Sequence, residues 1–339
     1  MPSSFLILRL GALGDIVHGL PLLAALRAAH PDARIDWLVD VRHRAVLELV
    51  SGLSRRLVVD TRRWRGDTGL ARVVREMRLA RYDLAIDLQG LLKSAALARL
   101  SRARRVLGFA AAHLREPAAR FFYTELVDPG RRRHVVERSL VMAEAAGVRD
   151  ARPVFPLVVP PSTIVERVRA SLQLRDDEPY VVLNPGAAWP NKRWPADRFG
   201  RLAAHIRSRH GWRSAVTWGP GEEGIAAEVV RASGGAAAVA PSTTLPDLVA
   251  LLASARLVVA GDTGPLHLAA ALGRPVVGLF GPTDPARNGP WWPEDLVVSR
   301  SPQCHCFHQR RCRAAQWCLD TIDVAEVQAA IDRRLSLRS

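Results

Sequence analysis

The sequence predicts an α/β protein in which two parallel-sheet domains share one chain of 339 residues. Short apolar runs typical of buried strands alternate with amphipathic segments typical of helices, and this alternation occurs twice along the chain. A proline-rich stretch, residues 153–161, interrupts the periodicity between the two series. Because strand–helix alternation favours parallel sheets covered by helices, we expect two such halves with a ligand cleft between them.

The elements follow in order from apolar periodicity. In the first half, strands are predicted at 5–10, 34–39, 83–87 and 104–108, and helices at 15–29, 91–100 and 135–146. In the second half, strands are predicted at 180–183, 214–218, 236–239, 257–260 and 276–279. Its helices are predicted at 196–208, 222–232, 245–253 and 265–272, with a last one at 324–335. The predicted organisation is therefore a domain 1–155, a linker 156–162, a domain 163–320 and a C-terminal helix 321–339.

The loop after the first strand contains two glycines and then Asp15, in the order LGALGDIVH. Asp15 either caps the following helix or points toward a ligand as a general base. The loop does not have the G-x-G-x-x-G spacing, which argues against a nicotinamide cofactor.

Three loops of the second half carry polar groups at predicted strand ends. Residues 184–195 hold Lys192 in a segment stiffened by glycine and prolines, and residues 218–223 place Glu222 at a helix start. Glu222 either caps that helix or accepts hydrogen bonds from a ribose diol. In residues 261–267, Asp-Thr-Gly precedes an Ala-rich helix whose first N–H groups and positive dipole end suit a phosphate. Together with the Asp15 loop of the first half, these three loops predict a cleft for a nucleotide diphosphate.

The basic residues are almost all arginine, since only Lys93 and Lys192 among 48 cations are lysines. A compact ammonium on a flexible stem differs from the planar guanidinium, so both positions are candidates for specific contacts. The net charge of +15 is uneven: residues 1–161 hold 27 Lys and Arg against 16 Asp and Glu, a balance of +11. That half is expected to meet an anionic partner. Nucleic acid is disfavoured, because three Tyr and eight Phe offer no obvious base-stacking surface.

The first residues do not form a basic, apolar leader, and no run of about 20 apolar residues occurs. The expected location is therefore the cytosol. The sequence leaves the oligomeric state open.

Six motifs, in order and spacing, resemble the ADP-heptose:lipopolysaccharide heptosyltransferases of glycosyltransferase family 9. They are LGDIVHGLPLLAALR, YDLAIDLQGLLKSAA, REPAARFFY, NPGAAWPNKRWP, WGPGEE and DTGPLHLAAALGRPVVGLFGPTDP. The resemblance covers roughly residues 5 to 300 and is strongest to heptosyltransferase I. It implies the GT-B architecture, with two Rossmann-like domains facing a central cleft, the acceptor on the first and the nucleotide sugar on the second.

The resemblance also implies an inverting, metal-independent transfer that requires no cofactor. Asp15 would take a proton from the acceptor hydroxyl, Lys192 would neutralise the leaving diphosphate with the N–H groups around Thr263 and Gly264, and Glu222 would hold the ribose. Asp262 would bind heptose hydroxyls, and His267 would lie near the phosphates, although a lone His on an Ala-rich helix also fits simple packing. The full set of implied donor-binding residues is Gly186, Ala187, Lys192, Glu222, Asp262, Thr263, Gly264 and His267.

The acceptor implied by the resemblance is the anionic Kdo-lipid A inner core, reached at the inner leaflet of the inner membrane. Its carboxylates and phosphates suit the cations of the first half. The expected acceptor-binding residues are Gly14, His18, Arg62, Arg63, Arg65, Gln89, Lys93 and Arg115. For the arginine run at 62–65, a solvated loop is the simpler alternative.

All four cysteines fall within fifteen residues, as Cys304, Cys306, Cys312 and Cys318. These four soft ligands, with His305 and His308, could bind structural Zn²⁺. Free buried thiols explain the spacing equally well, whereas disulfides do not suit the cytosol. A cysteine-rich tail is more similar to heptosyltransferase II relatives, so a different acceptor sugar is an alternative. A non-catalytic sugar-nucleotide-binding protein of the same fold is the alternative from another class, and it would not need Asp15.

Overall fold

The computed structural model describes residues 2–62, 68–132 and 134–337. The chain divides into two compact units, one up to Val158 and one from Val159 onward. Each unit contains a six-stranded sheet whose strands pair in parallel. The chain changes unit inside the proline-rich segment.

The sheet of the first unit has the order β3-β2-β1-β4-β5-β6. Its strands are β1 (Ser4–Leu8), β2 (Arg34–Asp40), β3 (Arg55–Val59), β4 (Leu84–Asp87), β5 (Arg105–Phe109) and β6 (Glu125–Val127). The helices are α1 (Leu13–Ala29), α2 (Arg44–Glu48), α3 (Thr68–Ala80), α4 (Leu92–Leu100) and α5 (Val135–Ala145). Every residue of β1 is buried because helices cover both faces of this central strand, and in register Ile7 lies between Trp37 and Ile86.

The sheet of the second unit has the order β12-β11-β10-β7-β8-β9. Its strands are β7 (Tyr180–Asn184), β8 (Arg213–Val216), β9 (Ala237–Val239), β10 (Leu257–Gly261), β11 (Val276–Phe280) and β12 (Leu296–Ser299). The helices are α6 (Ile164–Ser171), α7 (Ala196–His210), α8 (Glu223–Ala232), α9 (Leu245–Ser254), α10 (Gly264–Ala271), α11 (Pro285–Asn288) and α12 (Val324–Ser336). The last helix packs on α7, β11 and β12, so it belongs to the core of this unit.

Most predicted elements are present with ends shifted by one or two residues. The first strand ends at Leu8 rather than at residue 10, and the Arg9 side chain turns to pair with Asp15. The prediction missed β3, β6 and β12, which lie at or next to sheet edges, together with α2, α3, α6 and α11. These strands lack the continuous apolar run that identifies a central strand; β3, for example, begins with two exposed arginines.

Residues 156–158, assigned to the linker, hydrogen-bond to the first unit. Ser51 donates its N–H to the Pro156 carbonyl, Val158 donates to Leu49, and Leu157 forms an antiparallel bridge with Val50. In the described part of the chain, no helix combines the length and apolar character needed to cross a bilayer.

Candidate active site

The polar loops of the second unit leave the carboxyl ends of four adjacent strands. Residues 185–195 follow β7, residues 217–222 follow β8, Asp262 follows β10, and Thr283 follows β11. Because these strands are parallel and neighbours in the sheet, their terminal loops converge at one edge. The geometry there is organised around Asp262.

Each of the two carboxylate oxygens of Asp262 has two hydrogen-bond partners. Oδ1 lies 3.0 Å from His267 Nε2 and 2.9 Å from Asn288 Nδ2. Oδ2 accepts from Lys192 Nζ at 2.5 Å and from Thr283 Oγ1 at 2.7 Å. The side chain is only 4% exposed. These four partners therefore replace the hydrogen bonds to water that the carboxylate loses on burial.

The same contacts determine the protonation state of Asp262. Burial by itself raises the pKa of this carboxyl, but the hydrogen bond and charge of His267 and the charge of Lys192 outweigh burial. The pKa of Asp262 is therefore far below its usual range. Asp262 remains an anion that can hold a cation at this sheet edge throughout the physiological pH range.

The ammonium of Lys192 is held from two sides. Besides its ion pair with Asp262, Nζ lies 4.7 Å from the centre of the Trp189 ring, within cation–π distance. The side chain is 15% exposed, so the charge is fixed in position yet partly open to solvent. This is a suitable arrangement for a cation that receives an anionic ligand.

Helix α10 begins beside this pair, directly after Asp262. Thr263 is the N-cap residue, in extended conformation, and its hydroxyl donates to the Gly261 carbonyl. Gly264 and Pro265 form the first helical positions, so the positive end of the helix dipole lies next to Asp262 and Lys192. His267 is buried one turn along, with its ring directed at Asp262. His267 thus both packs in the helix and takes part in the polar cluster.

Glu222 occupies the neighbouring loop as the N-cap residue of α8. Its Oε2 accepts from the Gly219 N–H at 3.0 Å, and its Oε1 lies 3.3 Å from Arg193 Nη2. A Cβ at Gly186 would lie 1.9 Å from Glu222 Oε2, so only glycine leaves room for this carboxylate. The Ala187 carbonyl accepts from Arg193 Nε at 2.9 Å, which fixes Arg193 within its own loop, and the contact of Arg193 with Glu222 joins the two loops.

Asp15 lies in the first turn of α1, in the first unit. One carboxylate oxygen accepts from the Ala12 N–H at 3.0 Å, and the other lies 2.7 Å from Arg9 Nη2. The Asp15 side chain is 39% exposed, whereas Arg9 is largely buried and also donates to the Leu88 carbonyl. The N-cap residue of α1 is therefore Ala12 and not Asp15, which caps from the third helical position by accepting the Ala12 N–H, and its carboxylate remains accessible to solvent.

His43 completes the surroundings of this loop. A Cβ at Gly11 would lie 2.5 Å from His43 Cδ2, so the ring packs directly on the glycine turn. Burial lowers the pKa of His43, and the charge of Arg42 lowers it further, while Asp40 and Asp15 oppose the shift. A neutral imidazole near Asp15 is the result.

A buried network fixes the loop after β4. Asp87 accepts from Tyr123 Oη at 2.7 Å, Ser94 Oγ at 2.8 Å and the Gln89 N–H at 2.8 Å. Burial raises the pKa of Asp87 despite these hydrogen bonds. Gln89 Oε1 accepts from the Leu10 N–H at 3.1 Å, so this network also joins the β4 loop to the end of β1.

Lys93 and Arg115 are both exposed, at the start of α4 and in a loop that contacts it. Lys93 is the second residue of α4, and the Leu92 N–H donates to Glu116 Oε2 at 2.7 Å. Arg115 immediately precedes Glu116. These two predicted acceptor-binding residues therefore belong to one local surface of the first unit.

The other predicted acceptor residues are placed as follows. Gly14 is the second residue of α1, and His18 is buried, with its ring 5.8 Å from that of His134. Arg62 is exposed, and its N–H donates to Asp60 Oδ1. Arg63 and Arg65 lie outside the described residues.

The prediction did not include Arg9, His43, Asp87, Arg193, Thr283 or Asn288. Only Arg9 gave a recognisable signal, because an arginine at the end of the apolar run FLILRL is out of place in a buried strand. The others become recognisable only when distant parts of the chain meet, as Thr283 and Asn288 do at Asp262.

The second unit thus presents the fixed ammonium of Lys192 and the N-terminus of α10, and Asp262 contacts both Lys192 and His267 of that helix. Such a set of groups is suited to binding an anionic leaving group. The chain belongs to glycosyltransferase family 9, the heptosyltransferase family, whose model matches residues 70–318. It is therefore a glycosyltransferase, which agrees with the prediction of an enzyme and not with a non-catalytic binding protein.

Among its relatives, the chain is similar to lipopolysaccharide heptosyltransferase 1 of Pseudomonas aeruginosa, with 34% identity over 91% of this chain and 86% of the relative. It is 30% identical to lipopolysaccharide heptosyltransferase 1 of Escherichia coli K12, over 88% of this chain and 93% of that protein. Among solved structures, E. coli heptosyltransferase WaaC with ADP matches with a TM-score of 0.76 and 26% identity, over 98% and 99% of the two chains. The predicted α/β class with GT-B architecture is confirmed by this likeness.

Proposed function

We propose that this glycosyltransferase moves L-glycero-D-manno-heptose from ADP-heptose to a Kdo sugar of the lipid A inner core. The observation that carries the proposal is the cluster of Lys192, Asp262 and the start of α10 at one sheet edge. The similarity to heptosyltransferase 1 proteins along most of the chain supports this choice of donor and acceptor over the transfer performed by heptosyltransferase II.

In this proposal, Lys192 and the N-terminus of α10 receive the diphosphate of the donor. Asp262 keeps its four partners and acts mainly by positioning Lys192 and His267, with heptose hydroxyls as a further contact. Glu222 accepts hydrogen bonds from the adenosine ribose, and Gly186 and Ala187 of the neighbouring loop also contact the donor; at Gly186 the absence of a side chain leaves room for the Glu222 carboxylate. The developing charge on the leaving group is then stabilised by groups that are already oriented.

The chemical step is a displacement at the anomeric carbon. The acceptor oxygen forms the new bond to that carbon, the bond to the diphosphate oxygen breaks, and ADP leaves with the electron pair. Asp15 accepts the proton that the hydroxyl loses, and the anomeric configuration inverts. Arg9 holds one oxygen of Asp15, which directs the carboxylate.

The acceptor is bound by the first unit, where the positive balance is greatest. Lys93 and Arg115 contact its carboxylates and phosphates, as do the arginines at 62, 63 and 65. Gln89, held by the Leu10 N–H, and Gly14 contact the sugar, and His18 lines the site from α1. No cofactor takes part in the transfer step, and because Lys192 and α10 neutralise the diphosphate, transfer needs no added divalent cation such as Mg²⁺.

The protein works at the cytoplasmic face of the inner membrane, attached peripherally. The side chain of Phe121 is 75% exposed beside Arg120, and Leu92 and Lys93 are also exposed on the neighbouring α4. Apolar and cationic side chains on one surface suit a membrane with anionic lipids.

The test uses purified protein, ADP-heptose and a delipidated Kdo-bearing acceptor, with mass spectrometry of the product. Asp15→Ala is expected to lose transfer by about 100-fold or more, the usual effect of removing a general base. ADP binding, measured by calorimetry, should be unchanged, because Asp15 belongs to the first unit. Asp32→Ala, at an exposed aspartate, is the control and should behave as wild type. Unchanged turnover in the Asp15 variant would exclude it as the base.

A further inference from the structure

The four cysteines come together in a segment that has little regular structure of its own. Residues 304–317 lie between two short 3₁₀ turns, Ser301–Gln303 and Cys318–Thr321, and form neither helix nor strand. Irregular segments of this length are uncommon in compact domains unless something other than secondary structure holds them. This one is rich in arginine and has few apolar side chains to bury.

Sulfur atoms are the groups that meet within this segment. Cys304 Sγ lies 3.4 Å from Cys306 Sγ and 3.3 Å from Cys318 Sγ, and Cys312 lines the same surface cavity as Cys306. None of the four is in a disulfide. Cys304 has two sulfur neighbours at nearly the same distance. A single disulfide would join Cys304 to only one of them and would not explain the close approach of the other.

We propose that Cys304, Cys306, Cys312 and Cys318 form a tetrathiolate site for one transition-metal ion, with Zn²⁺ as the expected occupant. Four sulfurs at about 2.3 Å from a tetrahedral ion lie roughly 3.8 Å apart, close to the distances found around Cys304. The sulfurs form an open chain in the order 318, 304, 306, 312, so closing them round an ion requires the two outer side chains to turn inward.

Charge supports the assignment. Four thiolates around a divalent ion carry a net charge of about −2, which needs compensation. Arg310, Arg311 and Arg313 lie in the same segment and are exposed. Their guanidinium groups can offset that charge without being buried.

The segment contacts two loops of the candidate donor site. Asn191, next to Lys192, is 1% exposed and donates from Nδ2 to Cys306 Sγ at 3.3 Å and to the Gln309 carbonyl at 2.9 Å. On the other side, the His308 N–H donates to the Pro282 carbonyl at 2.7 Å, next to the loop that carries Thr283. The metal site therefore positions Lys192 and Thr283 around Asp262. This effect on the donor loops rests on the proposed function, whereas metal binding by the cysteines does not.

A second group of ligand-type side chains provides a control. Among the described residues, His205, His210 and Asp332 are the set whose ligand atoms all lie within 4.8 Å of one another. His210 Nε2 lies 2.8 Å from Asp332 Oδ1, an ordinary hydrogen bond between α7 and α12. This group is explained without an ion, so removing it should not change the metal content.

The first experiment measures metal directly in the untagged full-length protein. Elemental analysis and native mass spectrometry should find about one Zn²⁺ per chain, as expected for a single structural site. Cys304→Ser and Cys306→Ser should lose it, and His205→Ala should retain it. Iron at the same stoichiometry and with the same dependence on the cysteines would also support the site, because tetrathiolates bind both metals.

Wild-type protein without bound metal, with four thiols that react freely with a disulfide reagent, would overturn the proposal. So would loss of metal from His205→Ala with retention in the cysteine variants. The result on the wild-type protein stands even if a cysteine variant fails to fold.

The second experiment tests the connection to the donor loops. Removing the metal with a chelator under native conditions should weaken ADP binding several-fold in calorimetry, and adding Zn²⁺ back should restore it. Unchanged ADP affinity after proven metal loss would overturn the connection. If instead neither the metal-bound nor the metal-free protein binds ADP, the proposed function fails, while the metal measurement still decides the site.

Discussion

At the scale of single residues, the ion pair between Lys192 and Asp262 has the most demanding geometry. The ammonium fits between a carboxylate oxygen at 2.5 Å and an aromatic ring at 4.7 Å. A guanidinium is wider and planar, so it cannot occupy the same position without displacing Trp189 or Asp262. Although nearly all other cations of the chain are arginines, the position where the shape of the cation matters is occupied by lysine.

Lys192→Arg is therefore expected to weaken ADP binding by about 1 to 3 kcal/mol, or roughly 5- to 150-fold in Kd, in the range of charged hydrogen bonds. Calorimetry with ADP measures this change. Lys93→Arg, the only other possible lysine-to-arginine exchange in the chain, lies in the first unit and should leave ADP affinity unchanged. Equal affinities for wild type and Lys192→Arg would mean that the ammonium has no specific role.

Asp262 gives a prediction about pH. Its pKa is below the usual 3.8 in the folded protein and returns to that value on unfolding, so the unfolded state binds the proton first as the pH falls. The stabilisation is thus fully present above pH 3.8 and is lost progressively below it. Urea unfolding of wild type and Asp262→Asn should differ most near neutral pH and converge in acid. A difference independent of pH would show that the charge of Asp262 does not stabilise the fold.

At the scale of elements, the sheet positions the site through the ends of its central strands. Thr217 Oγ1 donates to Asn184 Oδ1 at 3.1 Å, and Asn184 Nδ2 donates to the Gly186 carbonyl at 3.0 Å. The loops after β7 and β8 are therefore tied together at their first residues. Gly186 then leaves the space that the Glu222 carboxylate fills.

Gly186→Ala should displace Glu222, because the new Cβ would lie 1.9 Å from its Oε2. We expect a loss of stability of about 1 to 3 kcal/mol, as for overpacking elsewhere, together with weaker ADP binding. Thermal unfolding and calorimetry measure the two effects.

Gly224→Ala is the matched control for this substitution. A Cβ at Gly224 meets no atom within 4 Å, and the residue lies in α8, directly after Glu223. Because alanine favours helix, this variant should be as stable as wild type or more stable by up to about 1 kcal/mol. If Gly186→Ala and Gly224→Ala have the same stability and ADP affinity, the close approach of Glu222 to Gly186 is not what the loop requires.

At the scale of the whole molecule, the charge balance divides unequally along the chain. Residues 1–161 carry +11 of the total of +15. An excess of this size attracts anionic surfaces over distances up to about a Debye length and depends on ionic strength. In the proposed attachment to the membrane, exposed side chains such as Phe121 supply the apolar contribution to binding.

Phe121→Asp should reduce binding to vesicles containing anionic lipid by about tenfold or more, since burying a phenylalanine contributes about 1.5 to 3 kcal/mol. Leu79→Asp changes a side chain that is 71% exposed on α3, and it should bind like wild type. Co-sedimentation at low and high salt measures both the apolar and the electrostatic part. Equal losses in the two variants would assign the effect to added negative charge alone.

Much of the fold follows from local sequence. Strands such as β1, β7 and β10 are central and wholly buried, so their apolar runs are unambiguous. Strands near the sheet edges, β3 and β12 among them, were missed because partial exposure removes that signal. The positions of Asp15, Lys192, Glu222 and Asp262 at strand ends were also predictable, since parallel strands place their terminal loops at one edge.

The sequence by itself determined the class of the fold, the family and the individual polar residues, because hydrophobic periodicity and motif spacing are local properties of the chain. Tertiary structure alone decided the partners of those residues: Arg9 for Asp15, Thr283 and Asn288 for Asp262, and Cys306 for Asn191. The physical reason is that hydrogen bonds and ion pairs depend on distances of a few ångströms between groups separated by up to 115 residues. Such distances are fixed only when the sheets have formed and their loops have met.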